Sequence, residues 1–84
     1  MNKRVKRDAQ LFRRCLGNAI RRRRRSLGLS QVVFAKRCGL SQSCICEIEK
    51  GHQNITWESY VSICTVLDVG LARLILDTGF PSVL

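Results

Sequence analysis

The 84-residue sequence is poor in several residue types on which enzymes and membrane proteins depend. It has one His, one Pro and one Trp, and only 6% of its residues are aromatic. With a single His and no pair of acidic or basic groups converging on one site, the sequence argues against an enzyme. It also lacks a run of about 18 apolar residues, and its basic N-terminus has no continuous apolar segment of the signal-peptide type. We therefore expect a cytoplasmic protein that is not inserted in a membrane.

Cysteine, by contrast, is frequent, but the cysteines do not form a metal-binding pattern. Five cysteines are an odd number, and without an export signal they favour free thiols in a reducing compartment. Cys44 and Cys46 lie near His52, yet residues two apart on a helix point to different faces, and no second pair has ligand spacing. We therefore predict no metal and no other cofactor. Redox sensing by these two thiols stays open as an alternative.

Length and charge point to one small domain with a polyanionic partner. Eighty-four residues with a 45% apolar share suffice for one core but not for a second, ligand-sensing domain, so no small-molecule ligand is expected. Residues 1–25 contain eleven Lys or Arg and one Asp, a net charge of +10, whereas the remainder has four basic and five acidic residues, a net charge of −1. This asymmetry favours a polyanion as partner. For the first eight residues, a solubilising tail is the alternative.

The segment from Gln31 to Lys50 has the pattern of two short helices joined by a tight turn. Ser30 and Ser41 are candidate N-caps. Gly39 lies where the first of these helices must stop, because glycine adopts a positive φ without a Cβ penalty. This spacing is typical of a helix-turn-helix, in which the second helix is free to enter a major groove. The predicted apolar faces are Phe34, Ala35 and Cys38 in the first helix, and Cys44, Ile45 and Ile48 in the second.

Three further helices are predicted around this segment. The first should run from about Ala9 to Ser26, with Gly17 as a cost to its stability. Its run Arg21 to Arg25 covers about 500° of helix, so these side chains cannot all face one surface. Another helix should follow the N-cap Thr56, and a short one should cover about Leu71 to Asp77. The predicted inner rows are Phe12, Cys15, Leu16, Ala19, Ile20 and Leu27 in the first helix, and Tyr60, Ile63, Cys64 and Leu67 in the fourth.

The chain accordingly divides into a mobile basic N-terminal arm (residues 1–8), a helical domain (residues 9–78) and an apolar C-terminal tail (residues 79–84). The fifth helix and the tail contain more apolar residues than one short helix needs. Phe80, Val83 and Leu84 add to this surplus. Apolar surface left over at one end of a small domain favours burial in a partner, although the tail could instead fold back on its own domain.

In register with the helix-turn-helix pattern, the chain resembles the Cro/cI-type, or XRE-family, regulators. Counted from Gln31, positions five, nine, fifteen and eighteen are Ala35, Gly39, Ile45 and Ile48, the residue types that family uses. The resemblance implies an all-α, five-helix, lambda-repressor-like DNA-binding domain. The GHQNIT segment and the short length are similar to restriction–modification controller proteins. The match extends outward through Leu16, Gly17, Ile20, Arg24, Gly28, Leu29 and Ser30, and through Glu49, Gly51, Asn54, Leu67, Val69 and Leu74.

The resemblance also implies roles for individual residues. The family pairs an arginine of its first helix with a glutamate that ends the recognition helix, which here are Arg24 and Glu49. A family glutamine that bonds a phosphate and braces a second glutamine corresponds to Gln31, with Gln42 as its partner. The outward residues of the recognition helix would contact bases, and dimerisation would use the C-terminal region. The predicted base contacts are Gln42, Ser43, Cys46 and Glu47, the predicted phosphate contacts Gln31, Lys36, His52, Gln53 and Asn54, and the predicted dimer contacts Leu71, Leu74, Ile75 and Phe80.

The expected function is sequence-specific binding of double-stranded DNA by a homodimeric, nucleoid-associated transcriptional regulator, a repressor or controller of bacterial or phage origin. A palindromic operator would match the two-fold symmetry. A toxin–antitoxin antitoxin is a close alternative. An RNA-binding basic module is the alternative from a different class, because of the arginine run.

Overall fold

A computed structural model describes residues 1–80, which form five helices. They are α1 (Lys3–Ser26), α2 (Gln31–Cys38), α3 (Gln42–Glu49), α4 (Trp57–Leu67) and α5 (Leu71–Asp77). No strand occurs between residues 1 and 80, so the predicted all-α, five-helix architecture is confirmed. The predictions made for Val83 and Leu84 lie outside the described residues.

Helix α1 begins six residues earlier than predicted, at Lys3 rather than Ala9. The Asn2 side chain accepts a hydrogen bond of 2.8 Å from the backbone N–H of Val5 and so caps the helix. No Gly or Pro interrupts residues 3–16, and Arg4 lies 3.8 Å from Asp8 one turn later. The segment predicted as a mobile arm is therefore the first part of α1.

The predicted caps of the other helices are present. Ser30, Ser41 and Thr56 each accept a hydrogen bond of 3.0–3.1 Å from the backbone N–H three residues ahead. Gly39 ends α2 with a φ of 74°, and Gly51 follows α3 with a φ of 77°. Both turns need the left-handed conformation that glycine adopts without strain. These caps fix the lengths of α2 and α3, and with them the helix-turn-helix.

One core joins all five helices. The predicted core residue Leu27 is 49% exposed, because α1 ends at Ser26 and Leu27 leaves the helical register. Cys15 and Cys44 are only partly buried. The buried apolar residues are Leu16, Ala19, Ile20, Phe34, Ala35, Cys38, Ile45, Ile48, Tyr60, Ile63, Cys64, Leu67 and Leu74.

Gly17 explains how closely α1 crosses the end of α3. A Cβ atom at this position would lie 2.5 Å from the carbonyl oxygen of Ile48 and 2.6 Å from that of Glu49. No larger residue fits at this distance without moving one of the helices. The sequence predicted that Gly17 lowers the stability of α1. In the structure, its lack of a side chain allows the close contact that fixes the position of α1 on α3.

Within residues 1–80, no individual helix has both the length and the apolar character needed to cross a membrane. Helices α4 and α5 meet those two criteria only in combination, and they are bent by 86° where they join.

Candidate nucleic-acid interface

Helix α3 has one buried row of side chains and one row that faces outward. Ile45 is fully buried and Ile48 is 2% exposed. Gln42 and Ser43 are exposed on the opposite side. One turn further along, Cys46 and Glu47 are partly exposed. The four residues predicted to contact bases therefore form the accessible side of a helix whose other side is fixed in the core.

A buried ion pair ties α1 to the C-terminal end of α3. Arg24 Nε lies 2.6 Å from Glu49 Oε2, and Arg24 Nη2 donates to Glu49 Oε1 over 2.9 Å. Arg24 and Glu49 are only 6% and 5% exposed. The hydrogen bond to Glu49 raises the pKa of Arg24, although desolvation opposes this. The pair predicted from the family pattern is thus present, and it is bidentate.

Gln31 lies at the start of α2, but its side chain does not brace Gln42 as predicted. Gln31 Nε2 donates to Glu49 Oε1 over 3.0 Å. No hydrogen bond between Gln31 and Gln42 is present in the described chain. The amide reaches Glu49 because the end of α3 is held beside the start of α2, where the carboxylate also accepts from Arg24. A single carboxylate therefore joins α1, α2 and α3.

Three successive residues of the loop after α3 are exposed, and each makes a side-chain contact within the protein. His52 Nδ1 lies 3.0 Å from Glu47 Oε2. Gln53 Nε2 donates to the sulfur of Cys44 over 3.4 Å. Asn54 Oδ1 accepts from Arg13 Nη1 over 3.1 Å. The contacts of His52 and Gln53 join the loop to α3, and the contact of Asn54 joins it to α1. The predicted phosphate contact His52 therefore adjoins the predicted base contact Glu47. The remaining predicted phosphate contact, Lys36, is exposed on α2.

A cleft of about 540 Å³ lies between α1 and α3, and its lining includes Arg14 and Asn18, which the sequence pattern did not single out. Arg14, Asn18 and Arg21 form its α1 side. Their spacing of four and three residues, which places side chains on one helix face, was the signal available in the sequence. The other lining residues are Gln31, Cys46, Glu49, Lys50 and His52.

The cysteines divide into buried and accessible thiols. Cys38 and Cys64 belong to the core, and burial raises the pKa of both, that of Cys38 to about 11. Cys15, Cys44 and Cys46 are partly exposed. Within the part of the chain that the structure describes, no three metal-ligating residues come together.

The predicted dimer contacts do not all lie on the surface. Leu74 is fully buried in the core of its own domain, so its assignment as a dimer contact is wrong. Phe80 packs edge-on against Phe12, with ring centroids 5.3 Å apart. This residue therefore lies against its own domain, which is the alternative to a dimer contact. Leu71 and Ile75 are 48% and 44% exposed, one turn apart on α5. Leu76 and Trp57 are more exposed still, at 72% and 81%.

Comparisons with known proteins agree with this architecture. Residues 16–74 match the family described as Helix-turn-helix domain. Two crystal structures of the clp gene regulator ClgR from Corynebacterium glutamicum are similar, with 25% sequence identity and a TM-score of 0.78. The alignment covers 81% of this chain and 72% or 87% of theirs. The restriction-modification controller protein C.AhdI from Aeromonas hydrophila has 29% identity and a TM-score of 0.72, over 74% of this chain and 94% of that one. No curated protein sequence matches the chain.

Proposed function

Because this chain belongs to the helix-turn-helix domain family of DNA-binding transcription regulators, we propose that it acts as a homodimer that reads a specific DNA sequence with α3 in the major groove. The supporting observation is the division of α3 into two rows. Ile45 and Ile48 fix the helix in the core, and polar side chains occupy the accessible side. A helix of this kind can insert its outer row between the two DNA backbones.

The outer row of α3 has the chemistry needed to distinguish base pairs. Gln42 can make two hydrogen bonds to adenine N6 and N7, and Ser43 can donate or accept at a base edge. Glu47 can accept from a cytosine amino group, and its contact with His52 holds the carboxylate in place. Cys46 can contact a thymine methyl group. We propose that these four residues determine the preferred sequence.

Phosphate contacts would come from the start of α2 and the loop after α3. The amide of Gln31 has two N–H donors, of which one is directed at Glu49, so the other remains available for a phosphate oxygen. The N-terminus of α2 also favours an anion. His52, Gln53 and Asn54 are exposed beside α3, and Lys36 is exposed on α2. We propose these five side chains as the phosphate-contacting set.

Dimerisation would place two copies of α3 on one face of the DNA. The exposed apolar residues Leu71 and Ile75 on α5 support a homodimer formed through this helix. Two-fold symmetry then predicts a palindromic operator with half-sites about 34 Å apart. We further propose a repressor or controller that acts at the bacterial nucleoid in the cytoplasm, and the likeness to C.AhdI, a restriction-modification controller protein, supports the controller role.

Selection of bound sites from random duplex DNA, followed by substitution of Gln42, tests the proposal. Gln42→Ala should lose about 1–3 kcal/mol of discrimination between the selected site and a site altered at one base pair. Competition titrations would measure this difference. Gln53→Ala is the matched control: it makes the same chemical change at a proposed phosphate contact and should weaken all sequences equally. Full discrimination by the Gln42 variant would show that α3 does not read the bases in this way.

An RNA-binding module is the alternative that the basic α1 favours. Purely phosphate-driven binding falls steeply with salt, whereas a base-specific preference survives. A preference for one duplex DNA sequence at ~0.2 M salt would therefore separate the two functions.

A further inference from the structure

The arginine run of α1 is divided among three surroundings. Arg24 is buried against Glu49. Arg22 Nη2 donates to the backbone oxygen of Asp77 over 3.2 Å, and Arg23 Nη1 lies 3.6 Å from the Asp77 carboxylate, so both face the end of α5. Arg21 instead lines the cleft between α1 and α3. The run is therefore not one basic patch, and Arg21 is the member that lines the cleft beside the recognition helix.

The cleft between α1 and α3 has a strongly positive lining. Arg14, Arg21 and Lys50 are exposed, and none of them takes part in an ion pair among residues 1–80. The acidic lining residue, Glu49, is neutralised by its bidentate contact with Arg24. Three cations that form no ion pair within residues 1–80 thus line a space of about 540 Å³. An anion is the ligand that this cleft favours.

The cationic side of the cleft is held in place by close backbone contacts. A Cβ atom on Gly51 would lie 2.8 Å from the Cα atom of Arg14, so the start of the loop after α3 packs directly on the backbone of α1. Gly17, three residues and nearly one turn further along α1, allows the same close approach against the carbonyl oxygens at the end of α3. Because these contacts involve backbone atoms, the distance from Arg14 and Arg21 to α3 is fixed by the fold.

Further basic residues of α1 lie in line with Arg14 and Arg21. Lys3, Arg7, Arg14, Arg21 and Arg25 are all exposed, and they follow one another at intervals of four, seven, seven and four residues. Seven residues fall only about 20° short of two full helical turns, so the five side chains share one face. The row spans about 33 Å at 1.5 Å per residue, close to the length of ten base pairs.

We propose that Arg14 and Arg21 bind phosphates of the DNA strand that borders the groove entered by α3, and that Lys3, Arg7 and Arg25 extend this backbone contact. The inference rests on the proposed function, because Cys46, a proposed base contact, lines the same cleft as Arg14 and Arg21. A base edge at Cys46 brings the phosphodiester of the adjoining strand toward the three cations. The DNA contact of this chain then includes α1 in addition to α2, α3 and the loop after α3.

The salt dependence of binding to a mixed-sequence DNA duplex tests the inference. Each phosphate contact on duplex DNA contributes about 0.9 to the slope of log K against log salt concentration. Arg14→Gln with Arg21→Gln should therefore reduce the slope by about 1.8, so that the affinity ratio of wild type to variant falls about tenfold between 50 and 200 mM salt. Arg21→Gln alone should reduce the slope by about 0.9, which keeps the test decisive if the double variant folds poorly.

Arg22→Gln with Arg73→Gln is the matched control, because it removes the same charge from side chains directed at Asp77. Its slope should change by less than about 0.5. An unchanged slope for the double Arg14 and Arg21 variant would overturn the assignment. An equal decrease in the slope of the control variant would also overturn it, since the effect would then come from total charge. A decrease in the slope that is seen with duplex RNA but not with duplex DNA would overturn the assignment as well. The mixed-sequence duplex contains no selected site, so its salt slope does not depend on sequence preference. If the site-selection experiment found no sequence preference, that result would count against the proposed function alone.

Discussion

At the scale of single residues, Glu49 has the largest structural role. Its buried carboxylate accepts from Arg24 and from Gln31. Glu49→Gln keeps the side-chain volume but leaves the Arg24 cation buried without a counter-charge. Breaking a buried pair in this way costs about 3–5 kcal/mol. We expect the free energy of unfolding in urea to fall by this amount, while the folded fraction keeps its base preference.

Glu58→Gln is the control for that prediction. Glu58 is an exposed residue in the first turn of α4, where the loss of a charge near the helix N-terminus costs about 0.3–1 kcal/mol. Equal losses of stability in the two variants would show that the pair with Arg24 has no special role in the fold.

Some of these residue contacts could be predicted from the sequence and others could not, for a physical reason. The partners Arg24 and Glu49 follow from the family pattern, and the two rows of α3 follow from helical spacing around Ile45 and Ile48. The contact of Gln31 with Glu49 depends on the distance between the start of α2 and the end of α3, which residue spacing along the chain does not give. Leu74 was misassigned because an apolar pattern on a short helix does not show which side meets the core.

At the scale of helices, Gly17 sets the position of α1. In an ordinary helix interior, replacing glycine by alanine adds about 1 kcal/mol of stability. Here the new Cβ would meet two carbonyl oxygens of α3 at 2.5 and 2.6 Å. We therefore expect Gly17→Ala to reduce the free energy of unfolding by about 1–3 kcal/mol, the usual cost of overpacking.

The adjacent exposed residue provides the comparison. Asn18→Ala raises helix propensity without a steric conflict, so it should leave stability unchanged or raise it by a few tenths of a kcal/mol. Thermal melts of the two variants would measure both effects. A stabilised Gly17→Ala variant would mean that α1 and α3 can separate at little cost.

The helices themselves were largely predictable, with the start of α1 as the exception. Caps at Ser30, Ser41 and Thr56 and the glycine turns define α2, α3 and α4 through local chemistry. Residues 3–8 have no apolar stripe, so their pattern predicted a mobile arm. They are helical because Asn2 caps them and because they continue a long helix, which propagates more readily than a new helix nucleates.

At the scale of the whole molecule, α5 should control the oligomeric state. Leu71 and Ile75 are exposed one turn apart, and their replacement by Ser should shift a dimer toward monomer in sedimentation equilibrium. Val32→Ser is the control, because Val32 is an apolar residue of α2 with 56% exposure. A dimer that survives the double substitution but not the control would place the interface on α2 instead.

The two rows of α3 have a consequence for adaptation. The side chains that stabilise the protein and the side chains proposed to contact bases lie on opposite faces, so positions 42, 43, 46 and 47 can change while the core stays as it is. A library randomised at those four positions should consist mostly of folded members. New operator preferences could then evolve, or be engineered, on an unchanged scaffold.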